Sequence, residues 1–140
     1  MFIGQYSNKI DEKGRLAIPS KFRQDLAAGA IVTRGLDGCL FIYTKTEWAK
    51  LTERLTTLPL TTANARAFAR HLLAGAMDLE IDRQGRVNIP AFLRQSAGLS
   101  SQVIIAGLFD RLELWDEPTW QTYQARTEAA SVEIAEQLLF

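Results

Sequence analysis

Short stretches in which apolar and polar residues alternate recur along the chain and predict β-strands. Two of them, residues 15–18 (RLAI) and 86–89 (RVNI), place their apolar side chains on one face. Arg15 and Arg86, which begin these stretches, are therefore expected on the opposite face, beside the preceding turn. The other predicted strands are residues 1–10, residues 77–81, and the strand–turn–strand segments 30–44 and 101–115.

Short helices are predicted directly after the two alternating stretches. Pro19 and Pro90 end the strands, and proline is well tolerated in the first turn of a helix. Gly29 and Gly98 then follow SKFRQDLAA and AFLRQSA, where a glycine commonly ends a helix. Each alternating strand is thus expected to lead into a helix of about two turns.

Three longer helices are also predicted. Thr44 and Glu47 form a capping box at the start of the first. Residues 61–76 predict the second, a linker helix. The third is one long C-terminal helix, which Asp116 and Pro118 are expected to begin as Thr44 and Glu47 begin the first. Its single apolar stripe consists of Trp120, Tyr123, Thr127, Ala130, Ile134 and Leu138.

The order of these elements occurs twice in the chain. DEKGRLAIP (11–19) and DRQGRVNIP (82–90) share Asp-x-x-Gly-Arg, an apolar residue and Ile-Pro at an offset of 71, and further on Trp48 matches Trp120 at an offset of 72. Such self-similarity indicates a duplicated unit, and two short units are expected to bury one common core. The predicted divisions are a first repeat at 5–48, a linker helix region at 49–75, a second repeat at 76–120 and a C-terminal helix at 121–140.

The net charge is zero, with 16 basic and 16 acidic residues, which is unusual for a protein that binds nucleic acid. The charges are distributed unevenly, however. Residues 1–34 carry six cations against three anions, and residues 110–140 carry two cations against seven anions. A neutral total therefore allows a basic face and an acidic end.

Other classes of protein find little support in the composition. No window approaches eighteen apolar residues and the N-terminus does not read as a signal peptide, so we expect a cytoplasmic protein without a membrane span. The single Cys39 and the single His71 provide neither a disulfide nor a metal-ligand cluster. No phosphate-binding loop or nucleophile elbow is present. We therefore expect no catalytic residues, metal, cofactor or small-molecule substrate.

The two Asp-x-x-Gly-Arg turns carry the most informative chemistry. Asp11 and Asp82 are interpreted as scaffold residues that accept hydrogen bonds from turn N–H groups, and Gly14 and Gly85 supply the positive φ that such turns require. The arginine that follows has two possible roles. It contacts DNA, as guanine or phosphate, or it only forms an ion pair with its own aspartate.

The doubled Asp-x-x-Gly-Arg-φ-x-Ile-Pro motif (φ apolar), in a chain that begins MFIGQY, resembles the MraZ family, bacterial proteins related to AbrB and SpoVT transcription factors. The resemblance covers essentially the whole chain. It implies a β-rich α+β fold in which two swapped-hairpin repeats interleave into one small, double-psi-like β-barrel with helices at its periphery. It also implies sequence-specific DNA binding as an autorepressor of the division and cell-wall gene cluster.

The resemblance, with the charges around the turns, suggests both site residues and partners. The expected DNA-binding residues are Arg15, Arg86, Lys13, Arg83 and Lys9, with Lys21 and Arg23 nearby. The implied partners are double-stranded promoter DNA and further copies of the chain in a ring of eight or more, associated with the nucleoid. The alternative is a protein-interaction module of the antitoxin type, which uses the same barrel.

Overall fold

The chain forms eight β-strands and six α-helices, and the computed structural model describes all 140 residues. The strands are β1 (Phe2–Lys9), β2 (Arg15–Ala17), β3 (Ala30–Arg34), β4 (Leu40–Thr44), β5 (Met77–Leu79), β6 (Arg86–Asn88), β7 (Gln102–Phe109) and β8 (Leu112–Asp116). The helices are α1 (Ser20–Leu26), α2 (Lys45–Thr56), α3 (Ala63–Ala69), α4 (Ala91–Ser96), α5 (Glu117–Ala129) and α6 (Ser131–Gln137). Helix α3 continues into a π-helical turn, Arg70–Ala74. No helix is both long and apolar enough to cross a membrane.

Six strands form one antiparallel sheet in the order β1-β7-β8-β4-β3-β5. The first strand of each repeat pairs with the third strand of the other repeat, as β1 with β7 and β5 with β3. The two fourth strands, β4 and β8, pair with each other at the centre. The order of strands is therefore the same when the two repeats are exchanged, and neither repeat completes its own part of the sheet.

The two remaining strands, β2 and β6, pair only with each other and form a separate antiparallel ribbon. The expected closed barrel is therefore wrong at the level of strand pairing, because β1 and β5 are the edges of an open sheet. The physical reason lies in the turns after β1 and β5. These turns redirect the chain into β2 and β6, whose one backbone bridge outside the ribbon is the isolated bridge between Ile10 and Leu16. The α+β class and the interleaving of the repeats are confirmed.

The main core lies between one face of the sheet, the buried face of the ribbon and helices α1 and α4. Leu16 and Ile89 are fully buried there, as are Phe22 of α1 and Leu93 of α4. Burying one such side chain is worth about 1.5–3 kcal/mol relative to leaving it exposed. The buried apolar side chains of the two alternating stretches, with Phe22 and Leu93, therefore hold the ribbon and its helices against the sheet.

A second, smaller cluster covers the other face of the sheet. Phe41, Tyr43 and Trp115 are buried in it, and Trp48 from α2 and Trp120 from α5 pack against them. The centroids of the Trp115 and Trp120 rings lie 5.4 Å apart. Since β4 and β8 are covered on both faces, the first four residues of each strand are buried, as is typical of central strands. The tryptophans are confirmed as packing residues.

The helix boundaries were predicted well in the repeats. Gly29 and Gly98 follow α1 and α4 with φ values of 109° and 61°, which is the left-handed region that glycine tolerates. Thr44 caps α2, because its Oγ1 accepts a hydrogen bond from the Glu47 N–H at 3.1 Å. The turns and strands around these helices thus follow the local sequence signals.

Two predictions about the last quarter of the chain are wrong. Asp116 makes no side-chain cap to α5, because its carboxylate accepts instead from the N–H and hydroxyl of Ser100, at 3.3 and 3.1 Å. The C-terminal segment is two helices rather than one, since Ala130 leaves the helical conformation with φ −106° and ψ 7°. Helix α6 buries none of its residues and therefore has no packing within this chain to hold it in line with α5.

Candidate nucleic-acid interface

The first Asp-x-x-Gly-Arg turn is closed by hydrogen bonds to one aspartate. Oδ1 of Asp11 accepts from the backbone N–H groups of Lys13 and Arg15, at 3.0 and 2.9 Å. Oδ2 accepts from Nε of Arg15 at 2.6 Å. The backbone closes as well, because the Gly14 N–H donates to the Asp11 carbonyl at 3.0 Å with φ of Gly14 at 88°.

The second turn has the same geometry. Oδ1 of Asp82 accepts from the N–H groups of Gln84 and Arg86, each at 2.9 Å, and Oδ2 accepts from Nε of Arg86 at 3.1 Å. The Gly85 N–H donates to the Asp82 carbonyl at 3.0 Å, with φ of Gly85 at 77°. Asp11 and Asp82 therefore accept equivalent hydrogen bonds in the two turns, and Gly14 and Gly85 have the positive φ at equivalent positions.

The turns favour the charged form of both aspartates. The backbone N–H of Arg15 is the main cause that lowers the pKa of Asp11, and its guanidinium adds to the effect. The backbone N–H of Arg86 lowers the pKa of Asp82 in the same way. Because each carboxylate binds the Nε of its arginine, it fixes the guanidinium but leaves the terminal nitrogens without a hydrogen-bond partner in the chain. The ion pair and an external contact are therefore compatible.

The turns of the two repeats hold each other. The N–H of Ile89 donates to the Gly14 carbonyl at 2.8 Å, and the N–H of Ile18 donates to the Gly85 carbonyl at 2.9 Å. A Cβ at Gly14 would overlap the carbonyl oxygen of Ile89, so the close approach requires glycine. Each turn is thus fixed by the strand of the opposite repeat.

The ribbon brings Arg15 and Arg86 to one surface. Arg15 pairs with Asn88, Leu16 with Val87 and Ala17 with Arg86, and side chains opposite each other lie on the same face. Leu16 and Val87 face the core, so both arginines lie on the outer face. They occupy diagonal cross-strand positions, whose Cα atoms are about 7–8 Å apart. Their side chains are 41% and 35% exposed. We call this outer face, which carries Arg15, Ala17, Arg86 and Asn88, the ribbon face.

Three further cations that the sequence suggested flank the ribbon face and are exposed. Lys13 and Arg83 lie within the first and second turn, and Lys9 ends β1 two residues before the first turn. None of the three forms an ion pair within the chain. Lys21 lies elsewhere, with its ammonium over the Tyr6 and Phe22 rings at 5.7 and 5.4 Å from their centroids.

A second pair of arginines, Arg23 and Arg94, supports the turns from behind. Nε of Arg23 donates to the Ile18 carbonyl at 2.7 Å, and its guanidinium packs against Gly85. Nη1 of Arg94 donates to the Glu12 carbonyl at 2.9 Å, and its Nε lies against Gly14. Arg23 was expected only as a surface cation and Arg94 was missed. The sequence signal that could have identified both is their equivalence in the two repeats, since FRQ (22–24) and LRQ (93–95) match at the offset of 71.

The residues that would suggest other chemistry are structural. Cys39 is buried, and burial raises the pKa of its thiol to about 12, so it is not a ready nucleophile. Nε2 of His71 donates a hydrogen bond to the Gly35 carbonyl at 2.8 Å and links the π-helical turn to the β3–β4 hairpin. No three metal-ligating side chains come together.

Comparison with known proteins agrees with this arrangement of two repeats. The chain matches the family described as "MraZ protein, putative antitoxin-like" twice, over residues 1–71 and 72–140. It is also 47% identical, over 138 residues, to the transcriptional regulator MraZ of Caldanaerobacter subterraneus subsp. tengcongensis. That alignment covers 99% of this chain and 96% of the relative. The two turns and the ribbon between them are therefore those of a protein that belongs to the MraZ family.

Proposed function

We propose that this chain is a transcriptional regulator that binds double-stranded DNA through the ribbon face. The proposal draws on the relative, which is named a transcriptional regulator. The observation that carries it is the shared placement of Arg15 and Arg86 on one exposed face, each oriented by an aspartate and each with free terminal nitrogens. A two-stranded ribbon fits the major groove, which is about 12 Å wide.

The chemistry of the two arginines suits this groove. A guanidinium fixed at Nε presents its terminal nitrogens as a pair of donors, and guanine offers O6 and N7 as a matching pair of acceptors. Since the aspartates hold both side chains in place, little side-chain entropy remains to be lost on binding. Lys13, Arg83 and Lys9 add contacts to phosphates at the margins, which position the protein without reading sequence.

The small number of cations argues for action as an oligomer. One subunit offers only five cations around the ribbon face, and so few phosphate contacts give weak binding at physiological salt. A ring of eight or more subunits would engage several short DNA elements at once, which raises affinity through effective concentration. Exposed Ile3, Phe109 and Val132 are apolar surface available for contacts between subunits.

The genomic target and the location are part of the same proposal. The DNA upstream of the protein's own gene, at the head of the division and cell-wall cluster, is the expected site, and repression is the expected effect. A protein with this role works in the cytoplasm on the nucleoid. It needs neither a catalytic residue nor a cofactor.

The binding test compares the wild-type chain with three variants on a labelled fragment of that upstream DNA. Arg15→Ala and Arg86→Ala should each weaken binding at least tenfold, because each removes a bidentate contact worth about 1–3 kcal/mol in every subunit. Arg70→Ala is the matched control, since Arg70 is an exposed arginine outside the turns. Equal binding by all four folded proteins would contradict the proposal.

The antitoxin-type alternative also has an observation in its favour. The family description includes the words "antitoxin-like", and the exposed apolar residues of α6 could contact a protein partner. A module of that type would engage its partner through α6 and would show no dependence on Arg15 or Arg86. The same titration separates the two functions, because the alternative predicts no binding to the upstream DNA by any variant.

A further inference from the structure

The ribbon face departs from the symmetry of the two repeats at one pair of positions. Arg15 and Arg86 are equivalent, but Ala17 of the first repeat corresponds to Asn88 of the second. One end of the face therefore carries the cross-strand pair Arg15 and Asn88, and the other carries Arg86 and Ala17. Only the first end has two hydrogen-bonding side chains.

Asn88 is exposed, and its side chain makes no hydrogen bond within the chain. Its Oδ1 lies over the first turn, close to where a Cβ of Gly14 would project. The amide is thus unpaired within the chain, and it belongs to the cross-strand partner of Arg15 on the ribbon face. The position is suitable for contact with a ligand that already binds Arg15.

The chemistry of the amide indicates what it would recognise. In the major groove, adenine presents the N6 amino donor beside the N7 acceptor, and a carboxamide matches both with its Oδ1 and Nδ2. Because Ala17 and Asn88 are short, the backbone of the ribbon is able to come near the base edges between the two longer arginines. We infer that Asn88 is a specificity-determining residue that reads an adenine next to the guanine read by Arg15.

This inference rests on the proposed function and adds a direction to the bound site. With Asn88 at one end and Ala17 at the other, each subunit distinguishes the two ends of its short DNA element. The element is therefore not palindromic, although the backbone that reads it is nearly two-fold symmetric. Ala17 can make only an apolar contact, for example with a thymine methyl group.

The test measures binding of the wild-type chain, Asn88→Ala and the exchange variant Ala17→Asn/Asn88→Ala to the upstream DNA and to all its single base-pair substitutions. In Asn88→Ala, the preference for A·T over the other base pairs at one position should fall about 5- to 100-fold, while the preference for guanine at its positions is kept. The exchange variant should show a new preference for A·T at the opposite end of the element. Thermal melts check that each variant is folded.

Two results would overturn the inference. A uniform loss of affinity for every fragment would mean that Asn88 contacts phosphate, and unchanged preferences in Asn88→Ala would mean that it contacts nothing. Failure of the wild-type chain to bind any fragment is a different result, because it removes the proposed function and this inference together.

Discussion

The charge on each turn aspartate is coupled to the conformation of the turn. The N–H groups of Lys13 and Arg15 stabilise ionised Asp11, and the corresponding groups of the second turn stabilise ionised Asp82. A carboxyl whose pKa is lowered in the folded state contributes stability above its unfolded value of 3.8, and the contribution is lost as the pH falls through the folded pKa. The turns are thus fully formed at neutral pH.

We therefore expect both aspartates to titrate below pH 3.8 in the folded protein, and the turns to loosen only in that acidic range. Carboxyl carbon shifts followed by NMR against pH report each pKa directly. In Asp11→Asn the first turn should show no such transition, while the second turn keeps its own. A midpoint at or above 3.8 for either aspartate would contradict the hydrogen bonding described for that turn.

The two turn glycines differ in what surrounds them. A Cβ at Gly14 would meet the backbone carbonyl of Ile89, which cannot move without breaking the pairing of the turns, whereas a Cβ at Gly85 would meet the guanidinium of Arg23. Gly14→Ala should therefore lower the free energy of unfolding by about 2–4 kcal/mol, from left-handed strain and the clash together. Gly85→Ala should cost about 1–2 kcal/mol, because the Arg23 side chain is able to turn aside. Urea unfolding of the two variants gives the comparison, and equal losses would be against it.

At the scale of elements, the ribbon is the unit that makes the site. Three residue pairs form it, and such a short ribbon is not stable alone. It persists because Leu16 and Val87 are buried in the main core and because the opposite turns bind its ends. The site is therefore assembled from both repeats, and a single repeat provides half of it.

Helix α6 contributes little to this assembly. It has no buried residue, and Val132, Leu138 and Phe140 are exposed. Removing residues 131–140 should thus change the melting temperature by only a few degrees, as surface changes generally do. Circular dichroism melts test this, with Trp120→Ala as the contrasting variant, since Trp120 packs on Trp115 and its loss should lower the melting temperature clearly. A truncated chain that unfolds as readily as Trp120→Ala would show that α6 supports the fold.

Much of the local structure could be predicted because it depends on near neighbours. The turn glycines, the buried alternation of Leu16 with Ile18, and the Thr44 cap all follow from residues within a few positions. The lack of a side-chain cap at Asp116 and the break at Ala130 could not be predicted, since Ser100 takes the Asp116 carboxylate and α6 buries no residue. The open sheet was also missed, because strand pairing between distant segments is not encoded in local pattern.

The candidate site was predictable to a similar degree. The duplicated motif led to Asp11, Arg15 and their counterparts, but the shared ribbon face appears only once the two repeats pair. Arg94 was missed because its role depends on Gly14, eighty positions earlier in the chain. The residues next to Arg94 in the sequence do not show that it supports a turn of the other repeat. Only its match to Arg23 in the first repeat could have identified it.

For the whole molecule, firm DNA binding through the ribbon face requires an assembly of several subunits. Light scattering of the purified protein should give a mass at least about eight times the 15.7 kDa of one chain, because single subunits have too few cations for firm binding. DNA affinity should also fall steeply as salt is raised. A homogeneous monomer that still bound the upstream DNA tightly would be incompatible with this requirement.

The most direct measurement is an experimental structure of the protein bound to the DNA upstream of its gene. We expect strands β2 and β6 to lie in the major groove, with the terminal nitrogens of Arg15 and Arg86 within hydrogen-bonding distance of guanine O6 and N7. A complex in which the ribbon face is turned away from the DNA, or is covered by a neighbouring subunit, would contradict this expectation.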